Sequence, residues 1–167
     1  LSDTVQIKKI PVPTAQFTMD KSFGCVPLNI VFKDNTLPKP NNFHWIFGDG
    51  NETSGTVDTA AHSFSIYGTK TVQYIITTSD GCSDTTSSIV NASPTPLVLF
   101  NITPPYAYRD YPYFCFQNVT ELGGNNNTWI FDNIATSNNE SDCFMFADTV
   151  ACYNVSLINT NNFGCTD

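Results

Sequence analysis

Charge is what this sequence has least of. Only 13% of its 167 residues are Asp, Glu, Lys or Arg, and the seven Lys and Arg are scattered along the chain. Without a basic stripe to neutralise phosphates, nucleic-acid binding is not expected. No run of about 18 apolar residues occurs, so no segment reads as a membrane span. No apolar stripe of 3.6-residue period persists beyond about two turns, which argues against a helical domain. GxSxG and HExxH are absent, and no cofactor fingerprint appears, so neither an enzyme nor a bound cofactor is expected. The two histidines, His44 and His62, lie far from any cysteine pair, and CxxC is missing, so no metal centre is expected. There is no signal-peptide pattern and the first residue is Leu1, so the chain reads as a processed product or a piece of a longer parent.

What is present is 41% hydrophobic residues, a net charge of −8, and polarity carried mainly by Asn, Thr and Ser. That composition is common in extracellular β proteins. The six cysteines, Cys25, Cys82, Cys115, Cys143, Cys152 and Cys165, form an even, widely spaced set. They fit disulfides and hence an extracellular or cell-surface location.

A repeat runs through the chain. The segment 31-VFKDNT-36 ends nine residues before Trp45, and 115-CFQNVT-120 ends nine residues before Trp129. Ile-Phe-Gly-Asp follows the first tryptophan and Ile-Phe-Asp-Asn the second, while 72-VQYIITTSDGCSD-84 matches 155-VSLINTNNFGCTD-167. The offsets, 83 to 84 residues, agree across separated segments, so two copies of one domain are expected. Residues 2–17 also resemble 83–100. Residues 1–12 therefore read as the last strand of a preceding repeat or a donor strand, 13–93 as a full domain, and 94–167 as a divergent copy lacking its final strand. Period-2 alternation at Leu28, Ile30 and Phe32 and at Val72, Tyr74 and Ile76 predicts an all-β chain. It would form two tandem Greek-key-like sandwiches of seven or so strands each. A short proline-stiffened linker is expected at 92-ASPTP-96.

The run Trp45-Ile46-Phe47-Gly48-Asp49-Gly50, with His62 and Tyr67-Gly68 downstream, resembles the signature of the PKD (polycystic kidney disease) repeat, an immunoglobulin-like β-sandwich. The second copy is similar in Trp129-Ile130-Phe131 but carries Asp132-Asn133-Ile134 where the signature has Gly-Asp-Gly. Gly24-Cys25-Val26-Pro27 and Gly81-Cys82-Ser83-Asp84-Thr85 resemble a bacterial subset found in tandem in large surface adhesins and secreted proteins, including those of gliding bacteria. The resemblance implies a spacer or binding module, with other repeats of the same protein, and surface glycans or polysaccharide, as partners. It also implies a Cys25–Cys82 disulfide at one end of the sandwich, closing a loop worth roughly 4 kcal/mol. The remaining four cysteines allow three connectivities; 115–143 with 152–165 is the working choice.

Trp45 and Trp129 read as core residues. Asp49 reads as a turn residue accepting backbone N–H groups, with Gly48 and Gly50 permitting positive φ. The alternatives at Asp49, a calcium or phosphate loop, lack further oxygens, a helix and a lysine. In 106-YAYRDYPYFCF-116, Tyr106, Tyr108 and Tyr111 are a candidate exposed platform for sugar rings or a partner, against a plain strand burying Phe114 and Phe116. Sequons at Asn51, Asn91, Asn101, Asn118, Asn126, Asn139 and Asn154 permit N-glycosylation, and Asp-Thr triplets at Asp3, Asp58 and Asp148 resemble a bacterial O-glycan pattern. The sum is a segment of an extracellular adhesin or filament acting as spacer and contact module. A carbohydrate-binding accessory module of a secreted hydrolase and a donor-strand-polymerised subunit are the alternatives.

Overall fold

The structure is a computed structural model that describes residues 13–56, 58–106, 111–124, 126–147 and 151–167. The proposed N-terminal strand at 1–12, Tyr108 and the triplet at Asp148 lie outside the described residues. The described chain is all-β. It divides into two compact units, one formed by residues up to Phe23 and by Pro27–Ala92, the other by Gly24–Val26 and Ser93–Asp167.

The first unit is built on β1 (Phe17–Met19), β3 (Leu28–Asp34), β4 (Asn42–Ile46), β5 (Glu52–Gly55), β6 (Thr59–Phe64), β7 (Gly68–Thr77) and all but the last residue of β8 (Ser83–Ser93), while β2 (Phe23–Cys25) starts at its boundary and its Gly24 and Cys25 count with the second unit. One sheet runs β1-β3-β6 and the other β2-β8-β7-β4-β5. Side chains alternate across each strand, so Leu28, Ile30, Phe32 and Asp34 point inward while Asn29, Val31 and Lys33 face out. From the opposite sheet come Phe43, Trp45, Val72, Tyr74 and Ile76, all buried. Phe32 meets Trp45 across the two layers at 5.4 Å, and Trp45 stacks on Tyr74 at 4.0 Å. Each such side chain contributes about 1.5–3 kcal/mol by burial, so this aromatic layer is the main store of stability.

The second unit contains β9 (Phe100–Thr103), β10 (Tyr113–Asn118), β11 (Asn126–Phe131), β12 (Ala135–Ser137), β13 (Ser141–Met145) and β14 (Val155–Thr160). Its sheets run β9-β10-β13 and β12-β11-β14, the orders of β1-β3-β6 and β5-β4-β7. Phe116, Trp129, Phe131, Phe146 and Leu157 form its core. Among the described residues, the second unit has no strand equivalent to β8. Strand β8 also runs through Ser93 and takes in the start of the expected linker.

Candidate functional site

The signature turn closes β4 onto β5. Phe47 N–H donates to Asn51 O at 3.0 Å, while Gly48 and Gly50 adopt φ of 74° and 93°. At Gly48 a side chain would also collide with the Thr71 carbonyl oxygen, so only glycine fits there. Asp49 Oδ1 accepts from Asn51 N–H at 3.0 Å, and Oδ2 lies 2.7 Å from His62 Nε2 on β6. An ionised carboxylate only accepts, so that Nε2 carries the proton. The His62 ring lies flat on Phe47, centroids 4.0 Å apart, with its side chain 13% exposed and that of Asp49 9%. Burial alone would raise the Asp49 pKa; hydrogen bonds from His62 and Asn51 outweigh it and hold the carboxyl below the ordinary aspartate value. Asp49 and His62 thus tie the β4–β5 turn to the other sheet.

A second buried acid repeats the pattern. The Asp34 side chain is fully buried, accepts from Thr36 N–H at 2.7 Å and pairs with Lys39 Nζ at 2.9 Å. Burial, which would raise its pKa, is again outweighed by these hydrogen bonds. Burial and the nearby Asp34 carboxylate push the Tyr74 phenol far above its usual value, and its hydroxyl has no well-formed hydrogen bond.

In the second unit, Asp132 and Asn133 take φ of 44° and 60°, and Ile134 N–H donates to Phe131 O at 2.8 Å. Asn and Asp tolerate the left-handed region, so a tight turn replaces the glycine-flanked one. Trp129 is buried and its Nε1 donates to Asn139 O at 3.1 Å.

The cystines correct the expected pairing. Cys25 is bonded to Cys165, Cys115 to Cys143, and Cys82 and Cys152 are free. Cys25 cannot reach Cys82 because they sit at opposite ends of β8. Next to Cys25, Ser22 O accepts from Asn91 N–H and Val26 N–H donates to Ser93 O, whereas Cys82 precedes Ser83. Ten or so extended residues separate those ends by about 30 Å, against the roughly 4–7 Å between Cα atoms that a disulfide allows. With Cys165 engaged by Cys25, the expected 152–165 pair is also replaced. Cys115 and Cys143 are directly opposed on β10 and β13.

Tyr106 and Tyr111 are 74% and 62% exposed. Phe116 is buried in the core, and Phe114 packs against it half-buried. Glu140 is exposed, while Asp142 accepts from Cys143 N–H at 2.7 Å and from Asn139 Nδ2 at 3.0 Å.

One cluster has no precedent in the sequence reading. Asn118, Thr120, Gly123, Gly124, Asn127 and Asn159, with Glu140, line a cavity of ≈ 270 Å³ in the second unit. Asn159, 1% exposed, donates from Nδ2 to Asn127 Oδ1 at 2.7 Å and to Gly124 O at 2.8 Å. Its Oδ1 accepts from Gly124 N–H at 3.0 Å. Asn118 Nδ2 donates to the same Asn127 Oδ1 at 3.0 Å, and Asn118 Oδ1 accepts from Thr120 N–H at 2.9 Å. The signal was available in the repeat, where Asn127 and Asn159 replace Phe43 and Ile76.

The sequence model of the PKD domain matches residues 8–92, half of the chain. This chain belongs to the PKD domain family. No curated protein matches the sequence. Among solved structures, one described as carbohydrate-binding modules of the β-sandwich superfamily is similar at TM-score 0.50 and 17% identity, over 92% of this chain and 56% of that one. The PKD1 domain of the Vibrio cholerae metalloprotease PrtV is similar at TM-score 0.42 and 20% identity, over 49% and 98%. The fibronectin(III)-like modules of Clostridium thermocellum CbhA are similar at 0.43 and 15%, over 90% and 88%. Membership of the PKD family makes this a structural or binding module.

Proposed function

We propose that this PKD-family chain is a non-catalytic, extracellular spacer and contact segment of a larger surface or filament protein. The observation that carries the reading is the use made of the signature acid. Asp49, the residue best suited to chemistry by its glycine flanks, is spent entirely on His62 and the Asn51 backbone. Two cystines add covalent bracing that suits an oxidising location. A load-bearing module resists extension, so stretching single molecules by their ends tests the reading. Discrete unfolding steps are expected once the chain is reduced, because the Cys25–Cys165 cystine otherwise carries the load past the 140 positions it spans. Smooth extension of the reduced chain without a force peak would count against a spacer.

A second reading, a carbohydrate-binding accessory module, is favoured by the exposed Tyr106 and Tyr111 rings, with the likeness to carbohydrate-binding modules as fold-level analogy. Binding to insoluble polysaccharide that is lost in Tyr106→Ala and Tyr111→Ala would support it. Retention of binding in both variants would remove these rings from the account.

A further inference from the structure

The asparagine-lined cavity of the second unit goes beyond the spacer reading. We infer that it is a binding site for a single small polyhydroxylated ring, such as one neutral sugar residue. The case begins with the repeat, whose constant offset of 84 residues between 31-VFKDNT-36 and Trp45 aligns four positions without gaps. In the first unit, Asp34 is plugged by its own Lys39, Pro40 follows, and Phe43 is paired across strands with Ile76. In the second unit the corresponding residues are Asn118, Gly123, Gly124 and Asn127, the last paired across strands with Asn159. A lysine plug and an apolar pair have become two glycines and three amides around a cavity.

Folding does not require this exchange, because the first unit builds the same sheet order with the apolar filling. Buried amides cost free energy unless every group is satisfied, and a cavity adds to that cost. A Cβ on Gly123 would come within 2.5 Å of Asn159 Oδ1 and 2.8 Å of Thr120 Cγ2, and one on Gly124 within 2.6 Å of Thr160 O. Glycine at both positions lets the Asn159 side chain and the Thr160 backbone approach this closely.

The chemistry of the lining selects the ligand. No Lys, Arg or His contributes, and Glu140 is acidic, so an anion is disfavoured. A cation finds few oxygens, because Asn127 Oδ1 accepts twice and the Oδ1 atoms of Asn118 and Asn159 each accept once from backbone. What remains is donor capacity on the amides of Asn118 and Asn127, the latter only 6% exposed and with no bond from its Nδ2 among the described residues. Acceptor capacity in the same lining comes from the Glu140 carboxylate. A hydroxyl both donates and accepts, so a ring with neighbouring hydroxyls matches this pairing of amide donors and carboxylate acceptor.

The test is a titration of the full chain, ¹⁵N-labelled, with glucose, galactose, mannose and N-acetylglucosamine, read at the side-chain amide resonances of Asn118, Asn127 and Asn159. At least one sugar is expected to move these resonances saturably below about 20 mM. Glu140→Gln, an exposed change, should weaken that affinity about tenfold through loss of a charged acceptor. Asn127→Phe with Asn159→Ile, copying the first unit, should abolish binding while the near-ultraviolet circular dichroism stays folded. Oligosaccharides ending in the preferred sugar separate two sources of one chemistry: equal affinity identifies a glycan terminus, and binding of the monosaccharide alone identifies a free sugar. No saturable shift with any sugar, or unchanged affinity in Glu140→Gln, overturns the inference. Tyr106→Ala and Tyr111→Ala leave this readout untouched, so its failure is separate from that of either reading above.

Discussion

Removing the Asp49 carboxylate is the most direct test of whether the signature turn is structural. Asp49→Ala loses the charge-assisted bond to His62 Nε2 at 2.7 Å and the bond from Asn51 N–H at 3.0 Å. A hydrogen bond to a charged group contributes about 1.5–3 kcal/mol and a neutral-donor turn bond about 1 kcal/mol. Both partners are largely shielded, so little of this is screened by solvent. The expected loss is about 3 kcal/mol, read from urea unfolding in a Trp129→Phe background where Trp45 alone reports the first unit. Asp49→Asn keeps an acceptor for Asn51 and should lose about half as much. A cycle with His62→Ala should show a coupling above about 1 kcal/mol, because the two groups share one bond. The pH dependence has a definite sign. Asp49 titrates below its ordinary value of about 3.9 when folded, so its contribution is present above that value and disappears as pH falls through the folded pKa. The gap between parent and Asp49→Ala should therefore be full at pH 6 and shrink below pH 4. A loss under 1 kcal/mol at pH 6, or a gap that does not shrink in acid, would refute the reasoning.

Two further outcomes follow from the same coordinates. Thiol titration of the unfolded, unreduced chain should find two free thiols, Cys82 and Cys152, and peptide mapping should recover the Cys25–Cys165 and Cys115–Cys143 cystines; recovery of a Cys25–Cys82 peptide would restore the family-based pairing. Gly48→Ala should destabilise more than Gly50→Ala, by about 3 against about 1 kcal/mol, since both have positive φ but only Gly48 abuts the Thr71 backbone; equal losses in thermal unfolding would show that φ alone decides.

The sequence announces its strands because burial alternates with period 2, and Leu28, Ile30 and Phe32 are buried as that alternation requires. The repeat is equally legible, since residues that pack on one another must be retained together: Trp45 with Phe32, and Trp129 with Phe116. Asp49 as an acceptor of backbone N–H is a local matter of two residues and can be read directly. Its bond to His62 spans two sheets and thirteen residues, and no local rule specifies that distance. The partner of Cys25 escapes a sequence reading for a related reason. Cys82 and Cys165 occupy equivalent places in the two copies, so periodicity treats them alike, while only the run of β8 decides which one Cys25 meets. Asn127 and Asn159 were hidden by their type, because asparagine in a polar chain reads as surface until a strand register turns it inward.

The two copies together separate what the fold needs from what it merely tolerates. Both keep an inward tryptophan, a phenylalanine facing it from the opposite sheet, and an Asx turn at Asp34 or Asn118 that accepts from the threonine two residues on. Those features recur with different neighbours, so they belong to the fold. The glycine-flanked aspartate does not recur, and a left-handed Asp132-Asn133 pair closes the equivalent strands. The motif that most resembles an active site is thus one of two interchangeable ways to turn a chain. The reverse holds at the polar cavity. There the first copy shows that an apolar filling is sufficient, and the second departs from it at several adjoining positions at once. The oxygens of Asn118, Asn127 and Asn159 are all bonded within the cluster or to the backbone, while Asn127 Nδ2 is left without a bond among the described residues, which is costly. A concerted change that costs stability points to selection for something other than stability.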